Sequence, residues 1–257
     1  YQLDAIPREM GVDGPLKYEN AREIMEGQLM IFCPRYPGRE ALFFYLLAAY
    51  GKVFGLSFFA VKFTSAWLGI VTIPVLYGVT RSLFNRQVAL IAAALLAVNK
   101  WHVILSRTGY RSVMVPLFVI VLIYLVVRAW RRVRGTDFVL AGLWLGLGLY
   151  TYNSFLLVPG VLAAALAAEL VLGGRASLRR YAWGLTALAF GALGVFLPEG
   201  RYAIEYPQFF WMRVASRVTS AEAPLPGDVL RVLAGNLWRA AGMFNLRGDA
   251  VFYTNVP

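Results

Sequence analysis

The sequence predicts an all-α fold: a polytopic bundle of transmembrane helices with external juxtamembrane helices. Three observations carry that expectation. Of 257 residues, 59% are hydrophobic and 15% charged, against about 45–50% and about 25% in soluble domains. The mean hydropathy of +0.60 is gathered into runs, several near the roughly 20 residues that cross a bilayer. Cations and acids also sort into different loops between those runs.

The net charge of +11 has two readings. It could form a nucleic-acid face, or it could sit in short loops that orient the spans. Position favours the second. Arg128, Arg131, Arg132 and Arg134 form one cluster and Arg175, Arg179 and Arg180 another, each between apolar runs. No nucleic-acid partner is expected. Cys33 is the single cysteine and His102 the single histidine, which excludes a disulfide framework or a Cys/His zinc cluster within the chain. The chain opens on Tyr1 and closes on Asn255-Val256-Pro257 in what reads as a loop. We therefore expect a fragment that lacks its first span and its C-terminal part.

The elements follow in order. Residues 1–17 read as loop, broken by Pro7, Gly11, Gly14 and Pro15. A short amphipathic helix is expected at 18–30, with Tyr18, Ala21, Met25 and Leu29 on one stripe. A turn-rich polar loop runs from Phe32 to Glu40. The apolar, aromatic run 41–54 is too short to span and reads as an interfacial helix, with Lys52, Tyr45 and Tyr50 at headgroup level. Six spans follow at about 58–80, 87–104, 113–130, 137–150, 155–173 and 181–197. Beyond Pro198 a polar, aromatic region carries an interfacial helix start at 206–213 and a helix at 228–244 capped by Asp228. The chain thus divides into 1–57, an external loop with surface helices; 58–198, six transmembrane helices; and 199–257, a second external loop.

The positive-inside rule sets the orientation. Loops 81–86, 128–135 and 174–180 carry arginines and read as cytoplasmic. Residues 1–57, 105–112, 150–154 and everything after 198 then lie outside, with nearly all the acids. Chemistry is expected on that face.

Asp13 has two readings. Asp13-Gly14-Pro15 is a good entry to a helix, with Asp as cap and Pro in the first turn. Alternatively, a carboxylate at the membrane surface can take a proton from an incoming hydroxyl. Arg107 and Arg111 stand four apart on an outward turn that holds no acid. They either snorkel to headgroups or grip a phosphate through charge-assisted bonds. Arg39 and Glu40 either cap the helix that follows or line the same hollow as Asp13. Lys17 would add a cation near Asp13 and attract phosphate, with Tyr18 beside it. His102, next to Lys100 and Trp101, reads as an interfacial anchor. Gly142, Gly146 and Gly148 read as a close helix contact, Tyr150 and Tyr152 as an aromatic belt, and Asp249 as part of a plain turn.

Four stretches then carry a resemblance. They are Val12-Asp13 with Ala21-Arg22-Glu23-Ile24-Met25; Arg39-Glu40-Ala41-Leu42-Phe43-Phe44-Tyr45-Leu46 with Phe54-Gly55; Tyr77 and Arg81-Ser82-Leu83-Phe84 through His102 to Ser106-Arg107; and Pro198 through Tyr206-Pro207 with Arg213. In order and topology they resemble the GT-C class of membrane glycosyltransferases. More narrowly they look like the family 39-like group of protein O-mannosyltransferases and lipid A aminoarabinose transferases. The resemblance implies an inverting transfer of a sugar from a polyprenyl-phosphate donor to a lipid, glycan or protein acceptor at the outer face of a bacterial plasma membrane.

In that group Asp13 matches the first acid of an Asp-Glu pair and would be the general base, while Arg107 would help hold the donor phosphate. The pair's second acid is Gly14 here, and the usual Pro-rich start of the second surface helix is Arg39-Glu40-Ala41. Glu40 could stand in for an acid that binds a divalent cation in some members. No metal ligand or cofactor is assigned. Two other functions fit the same groove: a transporter or flippase of lipid-linked sugars, and an inactive homologue serving as a scaffold. A transporter generally carries charges at mid-membrane, and none of these spans has an acid–base pair at its centre.

Overall fold

The computed structural model describes residues 13–33 and 39–211, with positions 235 and 238. Apart from those two positions, the expected helix at 228–244 lies outside the described residues, as do Asp249 and residues 1–12.

Helix α1 spans Asp13–Met25, five residues earlier at each end than expected. Pro15 falls in its first turn, where the missing N–H costs nothing. Gly27, at φ +97°, ends it, and the N–H groups of Glu26, Gly27 and Gln28 close on the carbonyls of Arg22, Ile24 and Glu23. The buried stripe is Gly14, Lys17, Asn20, Ala21 and Ile24, not the one through Tyr18 and Met25. Leu29 lies past the helix and is 86% exposed.

Strands β1 (Phe32–Cys33) and β2 (Arg39–Glu40) pair antiparallel, with Phe32 opposite Glu40 and Cys33 opposite Arg39. This short stem replaces the open loop expected there. It turns Arg39 and Glu40 inward just ahead of α2 (Leu42–Phe54), the interfacial helix. Phe43, Phe44, Leu47, Ala48 and Gly51 form the buried face of α2.

Helix α3 spans Phe58–Leu83 and is capped by Ser57, whose hydroxyl accepts the Ala60 N–H at 3.2 Å. The second expected span is broken. Helices α4 (Arg86–Val98) and α5 (Lys100–Arg107) meet at Asn99 with a bend of 55°. The Asn99 side chain accepts the His102 N–H at 3.0 Å, so it caps a new helix instead of continuing the old one. His102 is not a surface anchor: it is buried, with Nε2 3.0 Å from the Gly69 carbonyl. A β-carbon on Gly69 would collide with Ser106, so glycine there lets α5 sit down on α3.

A 3₁₀ turn (Arg111–Val113) leads into α6 (Met114–Arg132). Helix α7 (Gly135–Leu149) has 15 residues, about 22 Å at 1.5 Å per residue and short of a hydrocarbon core of about 30 Å. After a second 3₁₀ turn (Asn153–Leu157), α8 runs Val158–Glu205. The connection expected at 174–180 is tight: two helical arms meet at a kink at Gly174 (φ 62°, ψ −159°), and the spans divide between Ser177 and Arg179. Helix α9 is Pro207–Phe210.

Four segments are long and apolar enough to cross a membrane: Phe58–Leu83, Arg111–Arg132, Asn153–Ser177 and Arg179–Glu205. The bent pair α4–α5 makes a fifth if read as one span. The protein is an integral membrane protein. Helix α7 packs along the second arm of α8 as its glycines foretold: a β-carbon on Gly142 would meet the Leu188 carbonyl, one on Gly146 the Ala192 carbonyl, and one on Gly148 the Phe155 ring.

The bundle has two chemically distinct ends. At one, Arg128 pairs with Asp137 at 2.9 Å and Trp130 stacks on Tyr181 at 3.8 Å. This joins the two arginine clusters and places a buried acid at an end expected to have none. At the other end the Leu42 N–H reaches the Tyr150 carbonyl at 3.2 Å, and Phe32 packs against Tyr202 and Phe210. The surface helices gather there.

Candidate active site

The site is built where α1 meets the turn after α5. Lys17, on the buried stripe of α1, holds its Nζ 5.1 Å above the Tyr110 ring. The Tyr18 ring lies 5.6 Å from Phe58, which seats α1 on the start of α3. The turn is fixed to α3 as well: the Ser65 hydroxyl donates to the Tyr110 carbonyl at 3.2 Å. Gly109, at φ +75°, approaches the Val61 side chain and the Lys62 backbone. One short segment thus carries Arg107 and Arg111 between two helices.

Asp13 opens α1, one turn ahead of Lys17. Its backbone is placed, and its side chain lies outside the described residues.

Arg111 differs most from its sequence reading. No acid stands near it in sequence, yet the fold supplies one. Its Nη1 donates to Glu40 Oε2 at 2.9 Å and to the Glu40 carbonyl at 3.2 Å. Its guanidinium lies 5.4 Å from the Phe44 ring and 5.5 Å from the Tyr152 ring. Arg111 is 3% exposed. It therefore ties the 105–112 turn to the start of α2. Glu40 is occupied by the same pair. Arg39, beside it, is buried, and Arg107, at the end of α5, is half-buried.

Tyr150 and Tyr152 are scaffold here, not a belt. The Tyr150 hydroxyl donates to the Val195 carbonyl at 2.8 Å, which ties the end of α7 to α8, and Tyr152 backs Arg111.

Three residues with no assigned role emerge. Lys62 is buried in the first turns of α3, and a lysine four residues into an apolar run was a readable signal. Glu199 is 1% exposed, its Oε2 has no hydrogen-bond partner, and it lies within electrostatic reach of Glu40. Asn20 sits on the α1 stripe one turn past Lys17. Its visible signal was the i, i+3 spacing from that lysine.

Among the described residues no three His, Cys, Asp or Glu side chains converge to hold a metal ion, and the Glu40 carboxylate is engaged by Arg111. The described donors do not form a cation cage, so no step is derived through a cation. Between α2 and α3 lies an apolar cavity of about 410 Å³, walled by Leu46, Tyr50, Phe54, Phe63 and Trp67. Buried cations, aromatic faces and a neighbouring apolar hollow together suit an anion that carries a hydrocarbon tail.

A helical membrane bundle with surface helices laid over a basic, aromatic turn defines the class: this is the GT-C fold of membrane glycosyltransferases. The chain belongs to the dolichyl-phosphate-mannose-protein mannosyltransferase family, whose profile matches residues 40–200. That match takes in Glu40, Arg107, Arg111 and Glu199, while α1 with Asp13 lies ahead of it. Among solved structures, the chain is similar to the crystal structure of ArnT from Cupriavidus metallidurans bound to undecaprenyl phosphate. The TM-score is 0.63 at 16% identity, over 91% of this chain and 45% of that one. The chain therefore spans less than half the length of that protein, and the likeness shows the fold. A search of curated proteins found no match.

Proposed function

We propose that the protein is a glycosyltransferase that moves a sugar from a polyprenyl-phosphate donor to an acceptor hydroxyl at the outer face of the membrane, with inversion and with Asp13 as general base. One observation carries this reading: α1, which begins at Asp13, packs through Lys17 onto the turn that bears Arg107. At 1.5 Å per residue, Asp13 and Lys17 are about 6 Å apart along the helix. That is close to the span between an attacking oxygen and the phosphorus of the leaving group in an in-line displacement. The family match and the undecaprenyl phosphate in the ArnT structure support the donor class.

Lys17, Arg39 and Arg107 would hold the donor phosphate, and the cavity between α2 and α3 would take the first part of its isoprenoid tail. The acceptor hydroxyl attacks the anomeric carbon from the face opposite the phosphate. Asp13 takes its proton as the new C–O bond forms. The bond from the anomeric carbon to the phosphate oxygen breaks and leaves the electron pair on the phosphate, where the cations stabilise the growing charge. The surface helices keep water from the donor. Arg111 has a different part: it positions the turn through Glu40.

The sorting of arginines to one end of the bundle supports an outward-facing site. The test is sugar transfer by the full-length protein and its Asp13→Asn variant. Loss of transfer by about 10²–10⁴-fold with unchanged expression is the expected result. Undiminished transfer removes Asp13 from the mechanism.

A further inference from the structure

We propose that the arginine-rich end of the bundle binds a phospholipid whose headgroup carries two phosphates, one for each arginine cluster. The clusters are far apart in sequence, and the fold fuses them into one surface. Trp130, next to Arg131, stacks on Tyr181, next to Arg180, with ring centroids 3.8 Å apart. The Arg180 guanidinium lies 5.5 Å from the same Tyr181 ring. The start of α7 joins them, since Gly135, which follows Arg134, faces the Trp183 indole. Asp137 is buried here and engaged by Arg128 at 2.9 Å. Glu169 stands six residues before Arg175, about 9 Å along the helix. Arg131, Arg132, Arg134, Arg175, Arg179 and Arg180 are all exposed, and none of them is ion-paired among the described residues. Guanidinium groups gathered without carboxylates repel one another, and a bound anion removes that cost.

Setting the orientation of the spans requires only cations near their ends. It does not require that clusters from two separate loops be clamped together by a stacked ring pair and an ion pair. The anion that fits must carry hydrocarbon. Val171 and Leu172 lie one turn before Arg175, Trp183 lies one turn after Arg179 and Arg180, and all three are exposed. On each arm of α8 the exposed apolar side chains therefore begin directly beneath the arginines, as headgroup and chains do in a lipid. Helices in side-chain contact run about 8–10 Å axis to axis, and long arginine side chains on both reach into that interval. Two phosphates joined through one glycerol fit across it, one at Arg131 and Arg132 and the other at Arg179 and Arg180. Once the first phosphate is held, the second meets its cluster at high effective concentration. Two single-phosphate lipids would have to be ordered separately. Basic surfaces between spans are suited to such headgroups.

The probes are cardiolipin, with two phosphates, and phosphatidylglycerol, with one. Each is titrated at equal phosphate into the full-length protein in phosphatidylcholine nanodiscs, and bound lipid is counted by native mass spectrometry. Wild type should retain one cardiolipin, at least about tenfold more tightly than phosphatidylglycerol. Excess inorganic phosphate should leave it bound. Arg131→Gln with Arg132→Gln, and separately Arg179→Gln with Arg180→Gln, should each weaken cardiolipin binding at least about tenfold. Arg128, Arg134 and the untouched cluster keep the orientation signal in both. Tyr181→Leu keeps every charge and unclamps the clusters, so it should reduce the preference for cardiolipin and leave phosphatidylglycerol binding as it is. Equal affinity for the two lipids, no saturable retention, displacement by inorganic phosphate, or arginine pairs whose removal changes nothing overturns the proposal. If the arginine variants fail to insert, Tyr181→Leu decides alone, and an unchanged preference for cardiolipin overturns it.

Discussion

The buried pair of Arg111 and Glu40 sets a sharp test of which arginine serves the substrate and which serves the fold. The side chains are 3% and 9% exposed and 2.9 Å apart, so water screens the contact little. Arg111→Met leaves the Glu40 carboxylate buried beside Glu199 with its cation gone. Breaking such a pair from one side costs about 3–5 kcal/mol. The two aromatic contacts add about 0.5–1 kcal/mol each or more. At about 2–4 °C per kcal/mol for a chain of this size, the single variant, weakened by about 4–7 kcal/mol in all, should melt roughly 8–28 °C below wild type. Arg111→Lys keeps the charge but loses the planar stack between Phe44 and Tyr152, and it should fall between the two. Arg111→Met with Glu40→Leu removes both charges, and most of the loss should return. Thermal unfolding of the detergent-solubilised full-length protein reads all four, and undecaprenyl phosphate binding is measured on the same samples. If Arg111→Met keeps the wild-type melting temperature and loses phosphate binding, Arg111 is a ligand and its structural assignment is wrong.

Other expectations separate neighbouring residues. Arg107→Ala should weaken undecaprenyl phosphate binding by about tenfold or more and leave acceptor affinity unchanged; equal effects on both would count against a phosphate role. Leu46→Trp, which fills the cavity between α2 and α3, should lower affinity for long-chain polyprenyl phosphates more than for a short-chain analogue, read by titration with the two lipids. Gly142→Leu should cost more than about 3 kcal/mol, because the Leu188 carbonyl occupies the space its β-carbon needs; a folded variant of unchanged melting temperature would contradict the α7–α8 contact. Gly69→Ala should destabilise by about 1–3 kcal/mol, and Ser106→Gly in the same chain should relieve it, as measured by paired melting curves.

Much of the fold was legible because membrane helices announce themselves by length and apolarity, properties that are local. The breaks were less so. Asn99 sits in an otherwise uniform run, and its effect depends on whether the side chain caps the next turn or faces outward, which neighbours decide. At 174–180 the arginines marked the connection between two spans correctly, and the kink at Gly174 (φ 62°) makes it tighter than an open loop. The α7 glycines were readable because small residues at helical spacing have few other uses in a span.

The site divides along the same line. Charge type and turn position picked out Lys17, Arg39, Glu40, Arg107 and Arg111 as a set, and the fold places all of them at one end. What sequence could not assign was the pairing within the set. Arg111 and Glu40 are 71 positions apart, joined only because the β1–β2 stem turns Glu40 inward against the start of α6. That pairing changes the division of labour, since a cation already held by a buried acid is a poor phosphate ligand and a good strut. In the proposed function the phosphate-binding work then falls to Lys17, Arg39 and Arg107, with Lys17 over the Tyr110 ring at 5.1 Å. In that proposed function helix α1 carries the base position and a phosphate cation one turn apart, Asp13 and Lys17. A reaction that must align an acceptor, a breaking bond and a departing phosphate gains from having their contacts ruled along one rigid helix.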